Sequence, residues 1–84
     1  MRVIASSGFI RRARKLKPPR DAMLRAALRR FATDPQDPLL RTHKLKGDLA
    51  DYWAFSVDDE LRVLFRWDGE AAFLVNPGSH DQVY

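Results

Sequence analysis

Two histidines, one strand arginine and a pair of lysines hold most of the chemistry open to this chain. His43 lies in "RTHKLKGDL" with Lys44 and Lys46 close behind, and His80 lies in the closing "NPGSHDQVY". Arg62 stands in "LRVLFRW". An imidazole titrates near neutrality and can take or give a proton, whereas the rigid fork of a guanidinium suits a phosphate. Together they supply the parts of a metal-free ribonuclease. A base removes the 2′-OH proton, an acid protonates the leaving 5′-oxygen, and cations hold the phosphate between them. The plain alternative is that two histidines in 84 residues are ordinary.

Other chemistries find little support. The chain has no cysteine, which removes disulfides, thiolate metal sites and a thiol nucleophile, and which suits a reducing cytoplasm. Neither HxxxH nor HxxEH spacing occurs, and there is no glycine-rich phosphate loop and no GxSxG. No cofactor and no metal are therefore expected. No apolar run approaches the ~18–20 residues of a membrane span, and the apolar stretch in "MRVIASSGF" is too short for a secretory signal.

Charge is unevenly shared. The net +4 combines residues 1–50, with thirteen Lys/Arg against four Asp/Glu, and residues 51–84, with two against seven. Two readings fit the basic half: a solvated helix face in "FIRRARKLKPPR", or a surface that attracts a polyanion such as nucleic acid.

The elements that must position these groups follow from hydrophobic period. A chain of 84 residues with 45% apolar residues is expected to form a single domain over 1–84 with a thin core. "RVIAS" suits a first strand. Phe9, Ile10, Ala13 and Leu16 fall at helical spacing, with Ser6 or Ser7 as the cap and Pro18-Pro19 as the stop. A second helix starts at Pro19 and buries Leu24, Ala27, Leu28 and Phe31, until "TDPQDP" ends it. From Tyr52 the period becomes two. "YWAFSVD", "LRVLFRW" and "AAFLVNP" read as an antiparallel meander with turns at Asp58-Asp59 and Asp68-Gly69. Leu61, Val63 and Phe65 would face the helices, and Arg62, Leu64 and Arg66 the open side. Trp53 and Phe55 read as packed sheet aromatics. The class is α+β, with a helical hairpin on one face of the sheet.

The order strand–helix–helix–three strands, "THKLKGDLADYW", "LRVLF" and "PGSHDQVY" together resemble toxins of the RelE/ParE superfamily, nearest the YafQ-like branch of its RelE/StbE group. The resemblance covers nearly the whole chain. It implies a RelE-like β-α-α-β-β-β fold with a mainly antiparallel sheet, and a toxin of a type II toxin–antitoxin pair whose partner is a cognate antitoxin. It further implies a ribosome-dependent endoribonuclease that cuts translated mRNA in the ribosomal A site without metal, leaving a cyclic phosphate. On this resemblance His80 is the general acid and His43 a proton-transfer residue. Arg62, with Lys44 and Lys46, would hold phosphate. Tyr84 would stack on the cleaved nucleotide, and Glu60 occupies the place of an aspartate. Ser56 stands where a basic residue is usual, which implies weakened activity. Trp53 and Phe55 stand where RelE itself has lysines. Two alternatives share the resemblance: a ParE-like inhibitor of DNA gyrase, and a weakened toxin that mainly binds its antitoxin.

Overall fold

The computed structural model describes residues 1–79. The elements are β1 (Arg2–Ala5), α1 (Ser7–Ala13), α2 (Arg20–Thr33), β2 (His43–Lys44), β3 (Trp53–Ser56), β4 (Leu61–Trp67) and β5 (Ala71–Ser79). Short 3-10 turns at Pro38–Leu40 and Gly47–Leu49 flank β2. The five strands lie in the order β1-β5-β4-β3-β2. Among the described residues, β1 pairs parallel with β5, and the other three pairings are antiparallel. Both helices cover one face, so the α+β class with a helical hairpin on a mainly antiparallel sheet is what the chain adopts.

Local chemistry sets these boundaries. The Ser6 hydroxyl accepts from Phe9 N at 3.0 Å and caps α1. That helix is shorter than its apolar spacing predicts. It stops at Ala13, yet Leu16 still packs on the core from the turn that follows. Ile10, one position round the helix from buried Phe9, is left 41% exposed. In α2, Leu24, Ala27 and Phe31 are buried on one stripe. The Asp58 carboxylate closes the β3–β4 turn by accepting from Glu60 N at 2.8 Å and Leu61 N at 2.7 Å. Asp68 closes the β4–β5 turn in the same way, and Gly69 there has φ +93°, a backbone state that glycine adopts without strain.

The core is aromatic. The Phe31 ring stacks on Phe55 at 4.5 Å between centroids and meets Phe65 edge-on at 4.8 Å. Phe9, Leu24, Leu40, Val63, Ala72 and Leu74 fill the space around them. Among the described residues, no helix is long and apolar enough to cross a membrane.

Candidate functional site

The face of the sheet away from the helices carries the candidate residues, and its rows can be read from register. Directly opposed residues on adjacent strands point to the same side. Val63 and Phe65 pack under the helices, so Arg62, Leu64 and Arg66 take the face away from them, as the period-two reading expects. That face is less open than expected, since Leu64 and Ala54 on it are buried. His43 opposes Ala54, Ala54 opposes Leu64, and Leu64 opposes Asn76. One row across four strands is thus His43, Ala54, Leu64 and Asn76. The next row is Ser56, Arg62 and Gly78.

A bulge makes the second half of β5 join this face. Leu64 pairs with Asn76 and Phe65 with Leu74, so Val75 is the extra residue. Strict alternation from core-facing Leu74 would have turned Asn76 and Gly78 toward the helices. The inserted residue reverses that, and bulges commonly re-aim side chains in this manner.

His43 and Arg62 therefore share one face, two strands apart and offset by two residues along the strand. Their Cα atoms are roughly 12 Å apart by strand spacing and rise, and the Arg62 guanidinium is drawn toward the β3–β4 turn, on the side away from His43. His43 Nδ1 lies 2.9 Å from Arg41 O. A carbonyl only accepts, so Nδ1 is the donor in this contact. Arg41 holds that carbonyl in place from a left-handed backbone, φ 52°, at the end of the Pro38–Leu40 turn.

Arg62 is half-buried, and one of its Nη groups donates to the Asp58 carbonyl in the β3–β4 turn. An arginine has five N–H donors, so that bond fixes the guanidinium without exhausting it. The Asp58 carboxyl sits below the usual carboxylate range. The Leu61 N–H is the largest cause, then the Glu60 N–H and Arg20, with partial burial opposing them.

Other sequence candidates sit elsewhere. Lys44 opposes Trp53, which places it across the sheet from His43. Lys46 is exposed before the Gly47–Leu49 turn. The Glu60 carboxylate pairs with Arg20 at 3.3 Å, at the start of α2. Ser56 is only 9% exposed, opposite Arg62. Phe55 is fully buried against Phe31, and Trp53 packs on the same core. His80 and Tyr84 lie outside the described residues. Among the described residues, no three His, Cys, Asp or Glu side chains gather as a metal-ligand set.

No protein-family model matches the chain, and no curated protein matches it either. Solved structures do. The chain is similar to YafQ from E. coli strain BL21(DE3) with a TM-score of 0.80 and 11% identity, covering 100% of this chain and 99% of that one. It is similar to a YoeB/ParE toxin from Agrobacterium tumefaciens at TM-score 0.75 and 19% identity, over 95% of this chain and 99% of the other. The RelBE2 toxin–antitoxin complex from Mycobacterium tuberculosis contains a chain matched at TM-score 0.66 and 23% identity, over 94% and 96%. Over the described residues the chain thus shares the fold of these solved toxin structures.

Proposed function

We propose that this chain is the toxin of a type II toxin–antitoxin pair and that it cleaves translated mRNA in the ribosomal A site by acid–base chemistry. The observation that supports the reading is the placement of His43 and Arg62 on the same sheet face, away from the helices, in a chain whose fold matches solved RelE/ParE-type toxins. In this mechanism His43 Nε2 takes the 2′-OH proton. The 2′-oxygen attacks phosphorus, the bond from phosphorus to the 5′-oxygen breaks, and a 2′,3′-cyclic phosphate forms. His80, one residue past Ser79, protonates the departing oxygen. Arg62 carries the charge that gathers on the phosphate oxygens, and Tyr84 stacks on the nucleotide. Glu60, through its pair with Arg20, steadies the turn that holds Arg62. Lys46, exposed before the Gly47–Leu49 turn, attracts the flanking RNA, and Lys44, on the other face, adds only to the positive field at the β2 edge.

Primer extension on mRNA in a translation extract tests this. His43→Ala, Arg62→Ala and His80→Ala should each lower cleavage by about 10²–10³, by analogy with loss of one transition-state contact. Cleavage at the wild-type rate by His80→Ala and His43→Ala together overturns the mechanism. Ser56 supports a second reading, a weakened toxin, because a nearly buried hydroxyl opposite Arg62 brings no charge to the phosphate. A rise in cleavage with Ser56→Arg would support the enzyme, and intact mRNA with both proteins would support the weakened toxin. Intact mRNA with blocked DNA supercoiling would instead favour the ParE-like reading.

The partner in this proposal is an acidic, amphipathic antitoxin segment that folds on binding. A groove of about 610 Å³ between the two helices and β1 suits it, with Phe9, Ile10, Leu24 and Leu28 on its apolar wall and Arg14, Arg25 and Arg29 beside them. Charge reversal at Arg14 and Arg25 should weaken antitoxin binding, read by titration of the two purified proteins. Unchanged affinity removes the electrostatic part of the proposal.

A further inference from the structure

The open sheet face carries another row of side chains that the proposed chemistry leaves unused. Phe73 on β5 opposes Arg66 on β4, and Ile4 on β1 opposes Phe73 from the other side. Phe73 is 40% exposed and Ile4 36%, in a sheet whose other large apolar side chains are mostly covered. Arg66 is exposed, and its guanidinium carbon lies 5.9 Å from the centre of the Tyr52 ring. A guanidinium thus lies by a half-buried phenol ring and opposite a phenyl ring in register, with the guanidinium and the phenyl exposed.

The charge of the row points the same way. The charged strand positions on this face, among the described residues, are Arg2, Arg62 and Arg66, and all are cations. A cleft of about 630 Å³ opens beside Arg66 and Phe73, with Asp51 and Asp68 on its wall. The Asp68 carboxylate is turned onto the backbone N–H groups of Glu70 and Ala71, at 2.8 Å each. An exposed aromatic next to an arginine, on a face whose strand charges are all positive, is the composition that single-stranded nucleic acid selects. Every base has a π-face to stack, and every linkage has a phosphate for the arginine.

We propose that Phe73, Arg66 and Tyr52 form a stacking platform for an unpaired base of the RNA, separate from the nucleotide being cut. The inference rests on the ribonuclease reading for the identity of its ligand. Arg62 and Arg66 are four residues apart on β4, roughly 13 Å at strand rise, so the platform takes a neighbouring nucleotide of the strand whose scissile phosphate lies at Arg62. It sets where the strand lies and tolerates any base, because stacking reads no base edge.

The test is fluorescence anisotropy with a labelled, unstructured single-stranded RNA of about eight nucleotides, a length within the usual site sizes, at low salt and without ribosomes. Phe73→Leu keeps apolar bulk and removes the ring. It should weaken binding about 5- to 150-fold, the range for losing one stacked base. Phe73→Trp should restore it. Arg66→Gln should weaken binding and reduce the salt slope by about one. Equal binding by Phe73→Leu and wild type overturns the platform, as does a wild type that binds no RNA under these conditions. A change in self-association by light scattering, with RNA binding untouched, overturns it in favour of a protein contact. Cleavage of translated mRNA, followed in parallel, separates the two readings. RNA that is bound through Phe73 but never cut defeats the nuclease alone, and RNA cut equally by wild type and Phe73→Leu defeats the platform alone.

Discussion

Replacing Asp58 with alanine should cost stability, and it should disturb the candidate site as well. The carboxylate accepts from Leu61 N at 2.7 Å, Glu60 N at 2.8 Å and Arg20 Nε at 3.0 Å. The carbonyl of the same residue accepts from Arg62. Losing two short bonds to an ionised acceptor, at a side chain one-fifth exposed, should cost about 2–3 kcal/mol in total. The Arg20 pair is mostly solvated and adds little. A domain of this size holds only about 4–12 kcal/mol, and each kcal/mol moves its Tm by about 4–8 °C. Thermal unfolding followed by circular dichroism should therefore show a fall of about 10–20 °C. Asp58→Asn keeps an acceptor for the backbone and loses only the charge, so its fall should be less than half of that. Below the transition of the weaker variant, cleavage should also drop, because the turn no longer fixes the Arg62 guanidinium. An alanine variant within about 0.5 kcal/mol of wild type, the usual range of an inert surface change, refutes the idea that this carboxylate closes the turn. Asparagine as damaging as alanine refutes the division between bonding and charge.

Phe31→Ala should cost about 3–5 kcal/mol, since the ring is fully buried between Phe55 and Phe65, and urea unfolding should show the protein close to or past its limit. Asp37, Asp58 and Asp68 are all held below the ordinary carboxyl range, chiefly by the N–H groups of Leu39, Leu61 and Ala71 respectively. Their contribution is complete above the unfolded value near about pH 4 and is lost as pH falls through the lower folded values. The urea midpoint should thus hold from neutrality to about pH 5 and then decline, with a shallower decline in Asp58→Asn. Gly69→Ala should destabilise by about 1 kcal/mol or more through its positive φ alone, because a Cβ there meets nothing within 4 Å. Arg62→Lys keeps the charge and loses the fork, so cleavage should fall about tenfold, less than for alanine.

Much of the architecture is legible from period alone, and the exceptions have specific causes. The α2 stripe and the whole of β4 coincide with their hydrophobic spacing because each is long enough to repeat its period. β2 is not legible, since two residues show no period. It exists because Leu45 N and the strand beside it bond to the chain from Tyr52 onward. β1 reads as a strand, but its parallel partner does not follow from a four-residue run. The site is harder still. Arg62 on the open face follows from alternation in β4. The position of Asn76 and Gly78 on that face does not, because it depends on a bulge at Val75, whose neighbours Pro77 and Gly78 read equally well as the end of the strand. The positions of Lys44 and Glu60 are likewise not legible from sequence neighbourhood. Each is near a histidine or arginine in sequence, yet register sends one across the sheet and an ion pair with Arg20 holds the other.

Charge counted along the chain also misleads about the surface that matters. Residues 51–84 carry an excess of acid, which taken alone would repel RNA from the meander. The fold separates the signs. Asp51, Asp58, Asp59, Glu60, Asp68 and Glu70 all lie in loops and turns at the strand ends, whereas the strands themselves present Arg62 and Arg66. The acids are there because carboxylates close tight turns by accepting backbone N–H groups, as Asp58 and Asp68 do. The arginines are on the open face because alternation forbids them the core. One half-chain can thus be acidic by composition while its strands present arginines, with the carboxylates, Asp51 and Asp68 at the Arg66 cleft included, gathered at the strand ends. Such a surface should bind RNA with a salt dependence set by a few arginines, and the net charge of the half that contains them should not predict it.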